Sequence, residues 1–186
     1  MSLSHYFIAV SLKHDIKEKL SIWQKDLRKH LSYKQWPHME DLHVTLKFLG
    51  PVSTEQLEKL SERLYELESI PSFELEIHGL HHFGNPKQPR VLFADVLKSK
   101  PMEQLQKKTE TIAESCGFQK EKRVFKPHIT LAKRWNGTPL KNDEITSLKE
   151  QYTNKKMEMQ ADEVVLYEIF PSKLPKYVPQ SSYQLR

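Results

Sequence analysis

Apolar residues recur along this chain in two alternating periods. Residues 5–12 read as a strand, and from Asp15 to Leu31 the apolar positions Ile16, Leu20, Trp23, Leu27 and Leu31 fall three or four apart, the spacing of one buried helix face. Residues 42–49 return to alternation. Ser53 and Thr54 with Gln56 make a helix start, and Leu57, Leu60, Leu64 and Leu67 form its stripe until Pro71 stops it. Phe73, Leu75 and Ile77 alternate as a strand, and a loop at Gly84-Asn85-Pro86 leads to another over 90–97. Pro101 opens a helix to about Cys116 that Gly117 ends, and a second strand containing His128 follows. Asn136-Gly137 is a turn signal, and a short helix is expected from Asp143 to Glu150. Met157, Met159 and Ala161 alternate and run into Val164-Val165-Leu166-Tyr167, which predicts one long strand over 157–170. A last strand is expected near Tyr183 to Leu185. The class is α+β, with a cleft between two small antiparallel sheets and helices packed on one side of each.

Two of these strands repeat one another. Asp41-Leu42-His43-Val44-Thr45-Leu46-Lys47 and Lys126-Pro127-His128-Ile129-Thr130-Leu131-Ala132 each place histidine and threonine at alternate positions with apolar residues between them, so both polar side chains leave the same strand face, roughly 6.6 Å apart. A single copy of such a pair reads as the wet face of any antiparallel sheet. Two copies 85 residues apart in a chain of 186 suggest a duplicated half-domain that brings two imidazoles and two hydroxyls to one cleft.

That set suits a phosphodiester. In-line displacement at phosphorus needs a base for the attacking oxygen and, opposite it, an acid for the departing one. An imidazole with a pKa near 6.5 can serve as either at neutral pH. Threonine hydroxyls can hold the non-bridging oxygens without competing for the proton. The scheme needs no metal and no cofactor. Residue spacing alone leaves open which histidine is acid and which is base.

With these motifs the sequence resembles the 2H phosphoesterases, and more narrowly the RNA 2′,3′-cyclic phosphodiesterase, or 2′-5′ RNA ligase-like, branch. The likeness extends through His5-Tyr6-Phe7-Ile8-Ala9-Val10, Trp36-Pro37, Phe48-Leu49-Gly50 and Pro89-Arg90-Val91-Leu92-Phe93-Ala94. The resemblance implies a single two-lobed, pseudo-symmetric domain over residues 1–186, with two antiparallel sheets forming a central cleft and helices on the outer faces. It also implies hydrolysis of RNA or nucleotide 2′,3′-cyclic phosphate to a 2′-phosphomonoester, with reverse 2′-5′ ligation in some members. His43 would be the proton donor and His128 the proton acceptor, with Thr45 and Thr130 binding phosphate. Relatives often carry an arginine five positions after the second histidine, where this chain has Lys133 followed by Arg134. A regular strand puts Arg134 on the face of His128 and Thr130, so Arg134 is the expected phosphate-side cation, and a bulge would put Lys133 there instead. Lys47 shares the parity of His43 and Thr45. All three basic residues also read as a solvated rim. The alternative function is a nucleotide- or RNA-binding module without turnover, or a phosphoesterase for another cyclic or 2′-5′ phosphodiester.

Composition adjusts this picture little. With 38% hydrophobic and 28% charged residues the chain is globular rather than disordered, and a net charge of +5 suits an anionic partner such as an RNA end or a small cyclic nucleotide. No stretch approaches the roughly 20 apolar residues of a membrane span. The lone cysteine, Cys116, falls on a helical apolar stripe with Met102, Leu105, Thr109, Ile112 and Ala113 and reads as core, so a cytoplasmic monomer is expected. His78, His81 and His82 lack partners to complete a metal site and read as surface-loop residues. Phe7 could stack on a base but reads as core, and Trp36 could equally shield the cleft or anchor the chain.

Overall fold

Strands and helices follow one another in the computed structural model, which describes residues 3–186, as β1 (His5–Ser11), α1 (His14–Leu27), β2 (Tyr33–Gln35), β3 (His43–Pro51), α2 (Thr54–Leu64), β4 (Phe73–Asn85), β5 (Gln88–Val96), α3 (Lys100–Ser115), β6 (His128–Trp135), α4 (Glu144–Glu150), β7 (Lys156–Ala161), β8 (Glu163–Ile169) and β9 (Tyr177–Gln184). Local chemistry sets several of these boundaries. Ser53 Oγ accepts the Gln56 N–H while the Gln56 side chain accepts that of Ser53, a reciprocal cap on α2. Ser99 caps α3, whose first turn holds Pro101, and Gly117 leaves it with φ of 88°. Among the described residues no helix is long and apolar enough to cross a membrane.

The strands pair, always antiparallel, into a four-stranded sheet of order β3-β1-β8-β9 and a five-stranded sheet of order β2-β6-β5-β4-β7. From Tyr6 to Val10 every residue of β1 is buried, as an interior strand covered on both faces requires. Tyr6, Ile8 and Val10 join the main core, whereas Phe7 and Ala9 pack with Val165 and Tyr167 in a smaller cluster on the opposite face.

The duplication shows in the register. Thr45 faces Ala9 and Lys47 faces Ile8, leaving Leu46 without a partner; Thr130 faces Phe93 and Ala132 faces Leu92, leaving Leu131 without one. These bulges fall at equivalent places, since Leu131 follows Leu46 by the interval that separates His128 from His43. Each inserts one residue, so the alternation of faces slips beyond it.

The helices cross over. α1 packs against β6 and α3 against β3, so each half of the chain braces the other half's motif strand. Buried polar groups mark both contacts. Gln24 of α1 donates to the carbonyl of Leu131 at 2.9 Å and to that of Pro37 at 3.0 Å. Glu110 of α3 accepts from Lys47 Nζ at 2.5 Å and from the Glu121 N–H at 2.8 Å, and Lys47 also donates to the Gln119 carbonyl.

Three expectations change. The single strand over 157–170 is two strands in different sheets, because the chain passes from one sheet to the other at Asp162. The histidines at 78, 81 and 82 lie on β4, which runs on past Ile77 because β5 pairs with it as far as Asn85. α1 ends at Leu27, and Leu31 is buried beyond it without being helical.

Candidate functional site

His43 opens β3 one residue after a 3₁₀ turn over Met39–Asp41, with the extended Leu42 between them. The buried Asp41 carboxylate accepts the backbone N–H of Lys176 at 2.9 and 3.0 Å and that of Tyr177 at 3.0 Å, fixing the entry to β9 against the turn. The Asp41 carbonyl takes Nδ1 of His43 at 2.7 Å. A carbonyl can only accept, so Nδ1 carries the hydrogen and the neutral ring keeps its lone pair on Nε2, which receives the Thr45 hydroxyl at 2.9 Å. The ring lies 4.6 Å from Phe7 and 5.3 Å, edge-on, from Tyr177. Burial among these rings pushes its pKa down to about 4, the Asp41 carbonyl opposes that shift, and positive charge at His128, Lys133 and Lys17 adds to it.

The second motif repeats the device. Nδ1 of His128 donates to the carbonyl of Lys126 at 2.7 Å, again two residues upstream. Phe83 stands perpendicular to the ring at 5.1 Å, and Phe93 lies 5.2 Å away. Burial lowers this pKa also; the Lys126 carbonyl and Asp95 oppose the shift while the Lys126 ammonium adds to it. Both imidazoles are therefore neutral at pH 7 in the free protein, and Nδ1 of each is tied to the backbone.

The motifs meet. One small hollow of about 130 Å³ is lined by Pro37, Asp41, His43, Thr45, Thr130, Lys133 and Tyr177, so it draws on both repeats. Thr45 also borders a larger cavity of about 780 Å³ that reaches His128. His43 and His128 are near enough that a charge on one disfavours a charge on the other.

The basic residues divide by geometry. The bulge at Leu131 turns Lys133 into the hollow and leaves Arg134 exposed, with a left-handed backbone (φ 63°) and outside the lining. Lys133 is half-buried and its pKa is lowered, first by burial and then by Lys176 and Arg134. The matching bulge at Leu46 takes Lys47 inward, where the ion pair with Glu110 occupies its ammonium. Phe7 is core packing beneath His43, and Trp36 packs on the core with Arg28 5.1 Å over its ring.

Sequence reasoning passed over Asp41 and Tyr177 as site residues. Asp41 stands inside the motif, but its grip on residues 176 and 177 spans 135 and 136 positions, and Tyr177 has no local pattern that could announce it. The ring pair beside His128 was equally silent, since Phe93 read as an ordinary strand residue and Phe83 lay between loop histidines and the loop expected at Gly84.

Comparison with known proteins gives a consistent result. Residues 15–169 match the model of the 2′-5′ RNA ligase superfamily. An RNA 2′,3′-cyclic phosphodiesterase of Bacillus subtilis is 31% identical over 97% of this chain and 96% of its own length. One from Geobacillus stearothermophilus is 34% identical over the whole chain, which spans 58% of that relative. Among solved structures, E. coli LigT complexed with 3′-AMP aligns with a TM-score of 0.77 at 22% identity over 98% of both chains, and a crystal structure described as a phosphoesterase aligns at 0.76 and 21% over the same shares. At those identities the likeness is one of fold.

Proposed function

The chain belongs to the 2′-5′ RNA ligase superfamily, and from that premise we propose that it hydrolyses RNA or nucleotide 2′,3′-cyclic phosphates to 2′-phosphomonoesters by paired histidine acid–base chemistry. The observation that carries this reading is the matched anchoring of His43 and His128. Each gives Nδ1–H to the carbonyl two residues upstream and keeps its Nε2 lone pair; His43 lines the small hollow with Thr45, Thr130 and Lys133, and His128 lines the larger cavity that adjoins it at Thr45.

His128 is the base. Its neutral Nε2 takes a proton from water as the water oxygen attacks phosphorus, and the bond from phosphorus to the ribose 3′ oxygen breaks opposite. His43 is the acid and gives its proton to that departing oxygen. A ring with a pKa near 4 is unprotonated in the free site at neutral pH, so the acid role depends on the substrate's own negative charge, which favours the imidazolium. Thr45 fits either state. Its hydroxyl donates to neutral Nε2 in the free site, and once that nitrogen is protonated the hydroxyl turns its hydrogen to a phosphoryl oxygen and leaves the Nε2 proton to the departing oxygen. Thr130 and Lys133 would hold the remaining non-bridging oxygen, where charge develops.

The test is turnover of 2′,3′-cyclic AMP, and of an RNA ending in a 2′,3′-cyclic phosphate, in the presence of EDTA with the product phosphate located by NMR. A 2′-phosphate formed despite the chelator is expected, with His43→Ala and His128→Ala each lowering kcat by roughly two to four orders of magnitude. Binding without product, or near-normal turnover in either variant, would refute the scheme.

A further inference from the structure

Three histidines of β4 take no part in the scheme above, and the register of the sheet brings two of them beside it. His78 faces Asp95 of β5, and Asp95 faces His128 of β6. Directly opposed residues on antiparallel strands leave the same face, roughly 5 Å apart at Cβ, so His78, Asp95 and His128 form one row across the sheet. The next row on that face is His81, Phe93 and Thr130. On a regular strand residues 78 and 81 would leave opposite faces. Gly79 removes the difference: it lies in a bulge between His78 and Leu80, with φ of 64°, a left-handed conformation that glycine adopts freely. The extra residue brings His78 and His81 to one side and sends His82 to the other, opposite the buried Leu92.

Both rings reach the same atom. Nε2 of His78 lies 3.8 Å and Nε2 of His81 4.0 Å from Oδ2 of Asp95, whose side chain is 21% exposed. The other charges around this row are cations or already paired. The Lys126 ammonium stands 5.0 Å over Phe93 and disfavours an imidazolium at His128, as does a charge on His43. Lys149 of α4 bears on His81 and His82. Lys156 of β7 faces His78 but is held by Glu76 and Glu158 at 2.8 Å each. Asp95 is thus the carboxylate that favours a positive His128.

We propose that Asp95 is a positioning residue for the base: when His128 takes a proton from the attacking water, this carboxylate stabilises the resulting imidazolium, and His78 and His81 set how much negative charge it presents. The inference rests on the base role given to His128 above. The proton stays on Nε2, because Nδ1–H of His128 remains with the Lys126 carbonyl. Protonated His78 or His81 neutralises part of the carboxylate. The support is therefore full while both rings are neutral and is withdrawn as acid protonates them.

NMR titration of the His128 ring, combined with turnover of 2′,3′-cyclic AMP, tests the proposal. Asp95→Asn keeps the shape and removes the charge, and should lower the His128 midpoint by roughly 0.5 to 1 pH unit. Its kcat/KM at pH 7 should fall roughly two- to tenfold. Asp95→Glu keeps the charge and should recover most of both losses. The double variant His78→Gln/His81→Gln removes the cations that form beside the carboxylate in acid, so its His128 midpoint should rise. Damage to the sheet alone would not shift the midpoint in opposite directions, and the double variant carries the test if Asp95→Asn does not fold. An unmoved midpoint in either Asp95→Asn or the double variant, an equal fall in Asp95→Glu, or an unchanged kcat/KM in Asp95→Asn would overturn the proposal. Absence of turnover in the natural chain would remove the base role and this inference with it, whereas turnover with an unmoved midpoint removes the part of Asp95 alone.

Discussion

Lys47 and Glu110 are 4% and 8% exposed at their side chains and 2.5 Å apart, and they join the first motif strand to a helix from the other half of the chain. Glu110→Leu would leave the buried ammonium with one neutral acceptor, the carbonyl of Gln119. Breaking a buried pair from one side costs about 3–5 kcal/mol, which for a chain of this size lowers Tm by roughly 6–20 °C. Lys47→Met should cost less, because Glu110 keeps the Glu121 N–H at 2.8 Å and the Gln106 side chain at 3.4 Å. The double variant removes both desolvated charges and fills the space with matched apolar groups, so its stability should return to within about 1 kcal/mol of the natural chain. Urea unfolding of all four proteins closes the cycle. A Glu110→Leu cost below about 1 kcal/mol, or a double variant as unstable as the sum of the singles, would refute the reasoning.

Two further perturbations probe the first histidine. Its folded-state pKa of about 4 lies below the unfolded value near 6.5, so the stability gained by keeping the ring neutral is fully present above pH 6.5 and is lost as pH falls toward 4, by on the order of 3 kcal/mol. Denaturation at pH 7 and pH 4.5 should show that loss in the natural chain and a smaller one in His43→Asn, and NMR titration should find the His43 pKa raised when phosphate is bound; an unchanged pKa would remove its acid role. Asp41→Asn gives up half of a carboxylate that holds the N–H groups of Lys176 and Tyr177, and should cost about 1.5–3 kcal/mol. It should also lower kcat with little change in KM, and kinetics that split the other way would show that Asp41 does not orient His43.

The motifs were legible in the sequence because a strand covered on one face writes its polar side chains at every second position, and both copies do so around His43 and His128. The bulges were not, because a bulge is a property of two strands in register: nothing in Leu46 or Leu131 distinguishes an unpaired residue from a paired one. That single unread feature decides the fate of all three basic candidates, turning Lys133 inward and Arg134 outward and taking Lys47 to Glu110. The split at Asp162 did leave a trace. Met157, Met159 and Ala161 alternate, as an edge strand should, whereas Val164 to Tyr167 are buried without interruption, as an interior strand must be. The continuity of apolar residues hid the change of sheet.

Asp41's grip on the start of β9 has a bearing on how the protein is made. His43 is translated within the first quarter of the chain, yet the ring edge beside it comes from Tyr177 and its sheet is closed only by β8 and β9. A nascent chain still short of residue 163 has β1 bare along one edge and the first histidine without its setting, while the second histidine's strand already has β5 beside it. A chain stalled or clipped before β8 and β9 therefore carries both histidines without the pocket that tunes the first.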